Sequence, residues 1–323
     1  MSKRRINKQQ SARIQKIQET YRQETVVNES LNTEEGLVLS RFSRHAEIED
    51  LKGNRIHCSI RPNIDSLVAG DRVVWQTESE QKGVVVSRYP RNSMLGRADR
   101  RGEIKPIAAN ISQIIVVVAA KPELTWPLLD SYLVMAEQMN MEICIVLNKA
   151  DLACDSLKKE LLANYQPLGY RIILTSQISN TGYEQLKESL NHQISVFVGQ
   201  SGVGKSSIIS GLLPHETNIQ TGEISITTEL GCHTTSNSRY YHIPSGGALI
   251  DSPGVREITL SHLPIPQITY CYREFRPLIS NCKYRNCNHQ DNHGCAIIQA
   301  LNDGKLNKQR YDNYLKIINQ FGK

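Results

Sequence analysis

Gly199-Gln200-Ser201-Gly202-Val203-Gly204-Lys205-Ser206 has the spacing G-x-x-x-x-G-K-[ST]. Such a loop binds phosphate. Its glycines let backbone N–H groups approach the oxygens with no Cβ in the way, and the helix that follows adds its positive end. Lys205 is expected to reach the β- and γ-phosphates and the Ser206 hydroxyl to ligate Mg²⁺. Ser207 completes this set of expected nucleotide contacts. Asn148-Lys149-Ala150-Asp151 follows the guanine-reading pattern N-K-x-D. An ionised Asp151 only accepts, so it can take two hydrogen bonds from guanine N1–H and the exocyclic amine, a pair adenine does not offer. Asn148 is expected to brace that loop and the Lys149 stem to cover the base. In Asp251-Ser252-Pro253-Gly254, Asp251 is placed to hold magnesium through water, and the Gly254 N–H to sense the γ-phosphate. Thr175-Ser176-Gln177 fits a further guanine-side loop, without the usual Ser-Ala pair.

Each string needs a strand to deliver it. Ile194–Val198 runs into Gly199, Met141–Leu147 into Asn148, Gly247–Ile250 into Asp251, and Arg171–Leu174 into Thr175. Open α/β sheets bind ligands at the C-terminal ends of their strands. Ile111–Val118 reads as a buried strand, and Leu128–Met139 and Tyr183–Leu190 as helices, which together make a doubly wound sheet. In an ordinary GTP-binding domain the phosphate loop precedes the guanine reader. Here the order is reversed, with Asp251 last, so the domain reads as one cut and rejoined at a different point. Gly231-Cys232-His233-Thr234-Thr235-Ser236 lies where a mobile switch belongs. One of its threonines is a candidate for the Mg²⁺ shell, and His233 is either a water-positioning group or an exposed residue without chemistry. Val255 stands where Ras-like enzymes carry the glutamine that orients the attacking water.

A second cluster speaks of a metal. Cys282-x4-Cys287-x-His289-x5-Cys295 offers three thiolates and an imidazole, the donor set of a closed tetrahedral zinc site. The surrounding residues (Lys283, Tyr284, Arg285, Asn286, Asn288) are too polar to fold on an apolar core, so a metal staple is physically sensible. His293 is a rival fourth ligand and Cys271 a more distant one. Cys58, Cys144, Cys154, Cys232 and Cys271 are scattered and read as inert thiols.

Composition bounds the rest. A chain of 323 residues with 39% hydrophobic content suits two or three packed domains. No run of 18 apolar residues is present and the start carries no apolar leader, so a soluble, cytoplasmic protein with no membrane partner is expected. Net charge is +6, unevenly spread. Residues 1–24 hold seven basic against two acidic residues, 111–270 nine against fourteen, and 271–323 nine against four. An acidic nucleotide domain between basic ends points to a polyanionic partner. Gly36–Leu39, Arg55–Ile60, Asp71–Trp75 and Gly83–Val86 are short strand candidates with glycine-bearing turns, which suits a small five-stranded OB barrel; an SH3-like barrel fits the pattern too. The stretch from Arg88 to Arg101 mixes arginine with Tyr89, which suits phosphate contact and stacking. Gln309–Ile318 reads as an amphipathic helix.

Barrel, permuted nucleotide domain and Cys-x4-Cys-x-His-x5-Cys together resemble the ribosome small subunit-dependent GTPase A family of bacteria, over about residues 35 to 320. The resemblance implies a multidomain α/β protein: a basic arm (1–34), an OB-like β-barrel (35–110), a circularly permuted P-loop GTPase domain (111–270) and a zinc-binding α-helical domain (271–323). It implies GTP hydrolysis stimulated by the small (30S) ribosomal subunit during late assembly, 16S rRNA as partner, GTP and GDP as ligands, Mg²⁺ with the nucleotide, one structural zinc, and a monomer. The family's G-x-H-T-T pattern falls on Gly231, His233, Thr234 and Thr235, with Cys232 in place of the usual basic residue. Its water-positioning histidine then falls on His233 and its Mg²⁺-side threonine on Thr235. Its Asp-x-Pro-Gly-Val pattern matches Asp251 to Val255, hydrophobic where glutamine would be. After Gly254 the chain runs straight toward the zinc domain, so loss of the γ-phosphate is expected to relax Gly254–Ile258 and swing that domain. The rival classes are an rRNA-binding scaffold with a structural nucleotide and a soluble signalling GTPase, which leaves the barrel and basic ends unexplained.

Overall fold

Five short strands close on themselves before the nucleotide domain begins. The computed structural model describes residues 33–321 apart from 65, 80, 99–102, 215–237, 252–259, 261–262 and 291–292, together with 16 and 19–21. The strands are β1 (Thr33–Phe42), β2 (His45–Asp50), β3 (Arg55–Ile60), β4 (Arg72–Ser79) and β5 (Lys82–Arg88). Pairing runs β1–β2–β3–β5–β4 and returns to β1, with β3 and β5 parallel and the other pairs antiparallel. Closure leaves the barrel without an open edge. Alternation sends Val38, Ile48, Val73, Trp75 and Val85 inward as its core. Strand β2 is absent from the four sequence-derived candidates, because its inward residues Ala46 and Ile48 are separated by acids.

In the stretch after the barrel, Arg91 is turned inward while Arg97 is exposed. Arg91 grips the fully buried Asp71 carboxylate with Nε at 2.7 Å and Nη2 at 2.8 Å, and Nη2 also reaches the Ser66 carbonyl at 2.7 Å. The Tyr89 hydroxyl donates to Glu35 at 2.7 Å. Arg91 thus ties the segment leading into the following ribbon, β6 (Met94–Ala98) and β7 (Ile104–Ala109), to the barrel, and its guanidinium is committed to Asp71.

The central sheet alternates with helices: β8 (Gln113–Ala119), α1 (Trp126–Gln138), β9 (Glu142–Asn148), α2 (Asp155–Tyr165), β10 (Arg171–Leu174), α3 (Tyr183–Leu190), β11 (Ile194–Val198), α4 (Lys205–Leu212), β12 (Arg239–His242) and β13 (Ala248–Asp251). Its spatial order is β10-β9-β8-β11-β13-β12, parallel throughout except for β12. Every residue of β8 is buried, as a strand covered on both faces requires. Ile115, Val117, Val146 and Phe197 face α3 and α4, while Ile114, Val116, Ile145 and Val198 face the cluster of α1 and α2. The edge strand β12 meets β1 at Ser40 and Arg239, so the barrel continues the sheet. Arg239 to Glu47 (3.3 Å) and His242 to Glu49 (2.8 Å) tie the junction.

Four helices follow: α5 (Ile265–Cys271), α6 (Arg276–Ile279), α7 (Ala296–Asn302) and α8 (Lys308–Phe321). The expected border at 270/271 falls within α5. Tyr272, Phe275 and Tyr314 join Leu129 and Leu133 of α1 in one apolar cluster. A buried ionic group crosses this junction. Asp130 on α1 accepts from Arg310, from Asn313 Nδ2 at 2.8 Å and from the Tyr165 hydroxyl at 2.9 Å, and Arg310 Nε donates to Glu274 at 2.8 Å. Burial pushes the Asp130 carboxyl up, and Arg310, Asn313 and Tyr165 draw it back toward the ionised form. At the other end of α1, Glu137 receives Arg273 (2.6 Å) and Arg276 (2.5 Å). Removing one partner of such a cluster leaves buried charge uncompensated. Arg310→Ala is therefore expected to cost about 3 kcal/mol, read as a lower urea midpoint at unchanged slope. A cost near zero would show that the cluster contributes nothing net.

Candidate functional site

The phosphate-type loop leaves β11 at Val198 and enters α4 at Lys205. Gly199 sits at φ +141°, and a Cβ there would lie 2.2 Å from the Val117 carbonyl, so the loop rests directly on β8 backbone. Gly204 sits at φ +94°, and a Cβ there would meet Asn148 Nδ2 at 2.3 Å. Gly204 is the N-cap of α4 and offers no side-chain cap, which leaves the first-turn N–H groups open for a ligand. The Lys205 ammonium lies back over the loop, donating to Gly199 O at 2.9 Å and Gln200 O at 2.6 Å. Ser201 and Gly202 are exposed, and Ser206 and Ser207 half-buried, at the mouth.

The guanine-type loop is bonded straight onto this one. Asn148, buried at the end of β9, donates through Nδ2 to Val203 O at 2.9 Å and accepts from the Thr175 hydroxyl at 3.0 Å. Lys149, at φ +57°, donates to Gly202 O at 2.6 Å and Lys121 O at 3.1 Å, so its stem spans the two loops. The buried Ser176 hydroxyl donates to Asp151 Oδ1 at 2.5 Å, which orients an otherwise exposed carboxylate. Gln177 closes the ring by donating to Ser207 O at 2.6 Å. Asn148 through Asp151, Ser176 and Gly199 through Ser207 therefore come together although the chain visits them in reversed order. Thr175 and Gln177 do more than their sequence context announced: each bonds a residue of a different loop.

Asp251 closes β13, which lies beside β11 in register Val196 with Ile250. A half-buried carboxylate thus ends one strand over from the phosphate loop. With the Ser206 hydroxyl, the donors are hard oxygens, which suits a small dication. His233, Thr235 and Gly254, together with Gly231, Thr234 and Val255, lie outside the described residues.

In the C-terminal helices, one donor atom from each of Cys282, Cys287, His289 and Cys295 falls within 4.8 Å of the other three. His289 Nδ1 is 3.6 Å from Cys282 Sγ and 3.5 Å from Cys295 Sγ. Bonds of about 2.3 Å to sulfur and about 2.0 Å to nitrogen at a tetrahedral angle give about 3.5 Å between donors, so the four residues fit zinc. Burial holds the His289 imidazole below its ordinary pKa, which keeps it neutral, as a ligand must be. The Tyr311 hydroxyl on α8 donates to the His289 backbone carbonyl at 2.7 Å and so fastens the loop that carries it. His293 is exposed and outside the cluster, and Cys271 lies near Gln138 of α1, so among the described residues neither rival takes part.

A family model described as RsgA GTPase matches residues 88–261. The "Small ribosomal subunit biogenesis GTPase RsgA 1" of Vibrio vulnificus (strain YJ016) is 44% identical over 324 residues, spanning 98% of this chain and 91% of that protein. The "Small ribosomal subunit biogenesis GTPase RsgA" of Hahella chejuensis is 42% identical over 335 residues, spanning 98% and 96%. Among solved structures, YjeQ from Thermotoga maritima superposes with a TM-score of 0.72 at 31% identity, over 90% of this chain and 98% of that one. YloQ, described as a circularly permuted GTPase, shares the fold with a TM-score of 0.72 at 24% identity, over 91% and 97%.

Proposed function

The chain belongs to the RsgA GTPase family, and from that premise we propose that this GTPase binds the small ribosomal subunit late in its assembly and hydrolyses GTP under stimulation by that subunit. The observation that carries the nucleotide half is the bonding of Asn148 and Lys149 to Val203 and Gly202, which makes one pocket of two loops in permuted order. In this reading Lys205 leaves the loop carbonyls for the β- and γ-phosphates. The N–H groups from Gly199 to Ser207 surround them, and Asp151, held by Ser176, reads guanine. Ser206, Thr235 and Asp251 would hold Mg²⁺, which when bound would supply positive charge against the phosphates. Gly254 reports the γ-phosphate, and His233 orients water in place of the glutamine that Val255 replaces. Cys282, Cys287, His289 and Cys295 hold a structural zinc.

The subunit half rests on the names of the relatives and on surface chemistry. Residues 35–110 are read as an OB domain, 111–270 as the GTPase domain and 271–323 as the zinc domain. A ring of order 1-2-3-5-4-1 with parallel β3 and β5 favours the OB reading over an SH3-like one. One end of the barrel exposes Phe42 and Arg44 beside the stacked pair His45 and His57, whose ring centroids are 5.1 Å apart. Aromatic faces and cations suit 16S rRNA. A domain swing driven from Gly254 would have to carry α1 with it, because Asp130 and Glu137 fasten the C-terminal helices to that helix. The protein is read as a cytoplasmic monomer; among the described residues no helix is long and apolar enough to cross a membrane.

Turnover of GTP with and without purified small subunits tests this function. A rise on the order of 10²-fold is expected if the subunit supplies what Val255 does not. An unstimulated rate would favour the alternative, an rRNA-binding scaffold with a largely structural nucleotide.

A further inference from the structure

The phosphate-type loop is held from behind by a residue that no motif marks. Gln200 turns its side chain away from the mouth and across to Thr125, forming two reciprocal hydrogen bonds. Gln200 Nε2 donates to Thr125 Oγ1 at 3.0 Å, and the Thr125 N–H donates to Gln200 Oε1 at 3.2 Å. Thr125 is the N-cap of α1, where a threonine hydroxyl ordinarily accepts from a first-turn N–H. Here it makes no such bond. The reason is in the sequence: Pro127 has no N–H, and the Leu128 N–H already bonds the Thr125 carbonyl at 3.0 Å. The hydroxyl is left for Gln200.

A second observation falls at the same place. One further turn pair along α1, the Tyr132 hydroxyl is buried without a hydrogen-bond partner, facing the backbone N–H of Gly199. It borders a small cavity together with Thr125, Leu124, Gly199 and Gln200, large enough for about one water. Polar groups on α1 therefore meet the back of the loop at two successive residues, Gly199 and Gln200. The carbonyls of those two residues hold the Lys205 ammonium.

We propose that Thr125 is a positioning residue for the nucleotide: by clamping Gln200 it fixes the Gly199–Gln200 peptide in the conformation that presents the loop N–H groups to the phosphates. The inference rests on phosphates occupying the 199–206 loop. Thr125 itself touches no nucleotide; it acts through Gln200, and Thr125→Val removes the hydroxyl while leaving the shape.

The test is guanine-nucleotide binding by the full chain, followed with a fluorescent GDP analogue and with GTP turnover. Thr125→Val is expected to weaken GDP and GTP by about five- to tenfold, as the loss of one hydrogen bond to a now unpaired amide would. The loss is expected in faster dissociation, with KM rising more than kcat falls. Thr125→Ser restores wild-type affinity. Gln200→Ala, alone or combined with Thr125→Val, shows the same loss once and not twice, because the two side chains act as a unit. A purely structural threonine would instead lower the urea midpoint of the nucleotide-free protein and leave GDP affinity intact. Should Thr125→Val not fold, Gln200→Ala cuts the same pair from the loop's side. Affinities within twofold of wild type, additive losses, or failure of the serine to restore binding would each overturn the clamp alone. Wild-type protein that binds no guanine nucleotide would remove the site itself.

Discussion

Asp151→Asn is expected to reverse the base this enzyme accepts, weakening GTP on the order of 10⁴-fold and making the xanthosine triphosphate the better ligand. The carboxylate only accepts, and guanine presents two donors to it, N1–H and the exocyclic amine. An asparagine keeps one oxygen for N1–H but turns an N–H₂ toward the amine, so a donor faces a donor. Xanthine carries a carbonyl at that carbon, and the mismatch becomes a hydrogen bond. The surroundings favour a clean exchange. Ser176 donates to Asp151 Oδ1 at 2.5 Å, and an amide oxygen still accepts that bond, so the new side chain stays oriented. Asn148 and Lys149 remain fastened to Val203 and Gly202, so the loop does not depart. Competition between GTP, XTP and a fluorescent guanine nucleotide measures the effect. An unchanged preference for GTP would place the base reader elsewhere in the chain.

The nucleotide strings were legible because phosphate and guanine recognition fix both residue type and place, each at the C-terminal end of a strand. Gly199 and Gly204 illustrate this: a side chain would collide with Val117 O at one and with Asn148 Nδ2 at the other. The cluster of candidate metal ligands was legible through chemistry, since three thiols and an imidazole in a polar loop have few other uses. Helix Tyr183–Leu190 and the strand delivering Asn148 followed from periodicity. What escaped is of another kind. Strand β2 carries too many acids for its two inward residues to stand out. Arg91 looked like a phosphate contact, because arginine spacing does not reveal a buried aspartate twenty residues away. Asp130 and Arg310 meet across 180 residues, and Thr125 and Gln200 across 75. Such pairs leave no local pattern and arise only when the sheet has been assembled. The permutation sharpens this: it rearranges which loops are neighbours in sequence while the pocket they form depends only on neighbours in space.

Loss of the metal is expected to unfold the C-terminal helices while leaving nucleotide binding intact. The segment has little else to order it. α6 spans four residues and α7 seven, well below the length at which a helix holds itself in water. Between them, among the described residues, the chain is held by the backbone bonds Lys283 N to Gly294 O at 3.0 Å and Cys287 N to Tyr284 O at 3.3 Å, by the Tyr311 hydroxyl on the His289 carbonyl, and by the four candidate ligands. A structural zinc in such a setting supplies about 10 kcal/mol of folding free energy, several times the expected worth of the Asp130–Arg310 cluster. Without metal, burial pushes the Cys295 thiol up to about 11, so that sulfur is held neutral. Unfolding would begin there and spread to Tyr272, Phe275 and Tyr314, the aromatic layer against α1. Cys295→Ser, or chelation in mild denaturant, should therefore release one zinc per chain and erase the near-ultraviolet circular dichroism of that aromatic layer. GDP affinity should stay within about threefold, since no candidate ligand touches the loops at 148–151 or 199–207. Two outcomes separate the alternatives. An aromatic signal that survives complete metal release would mean that α1 and α8 hold the domain through Asp130 and Arg310 alone. A parallel loss of GDP binding would mean that the displaced helices pull α1, and with it Thr125, off the back of the phosphate loop.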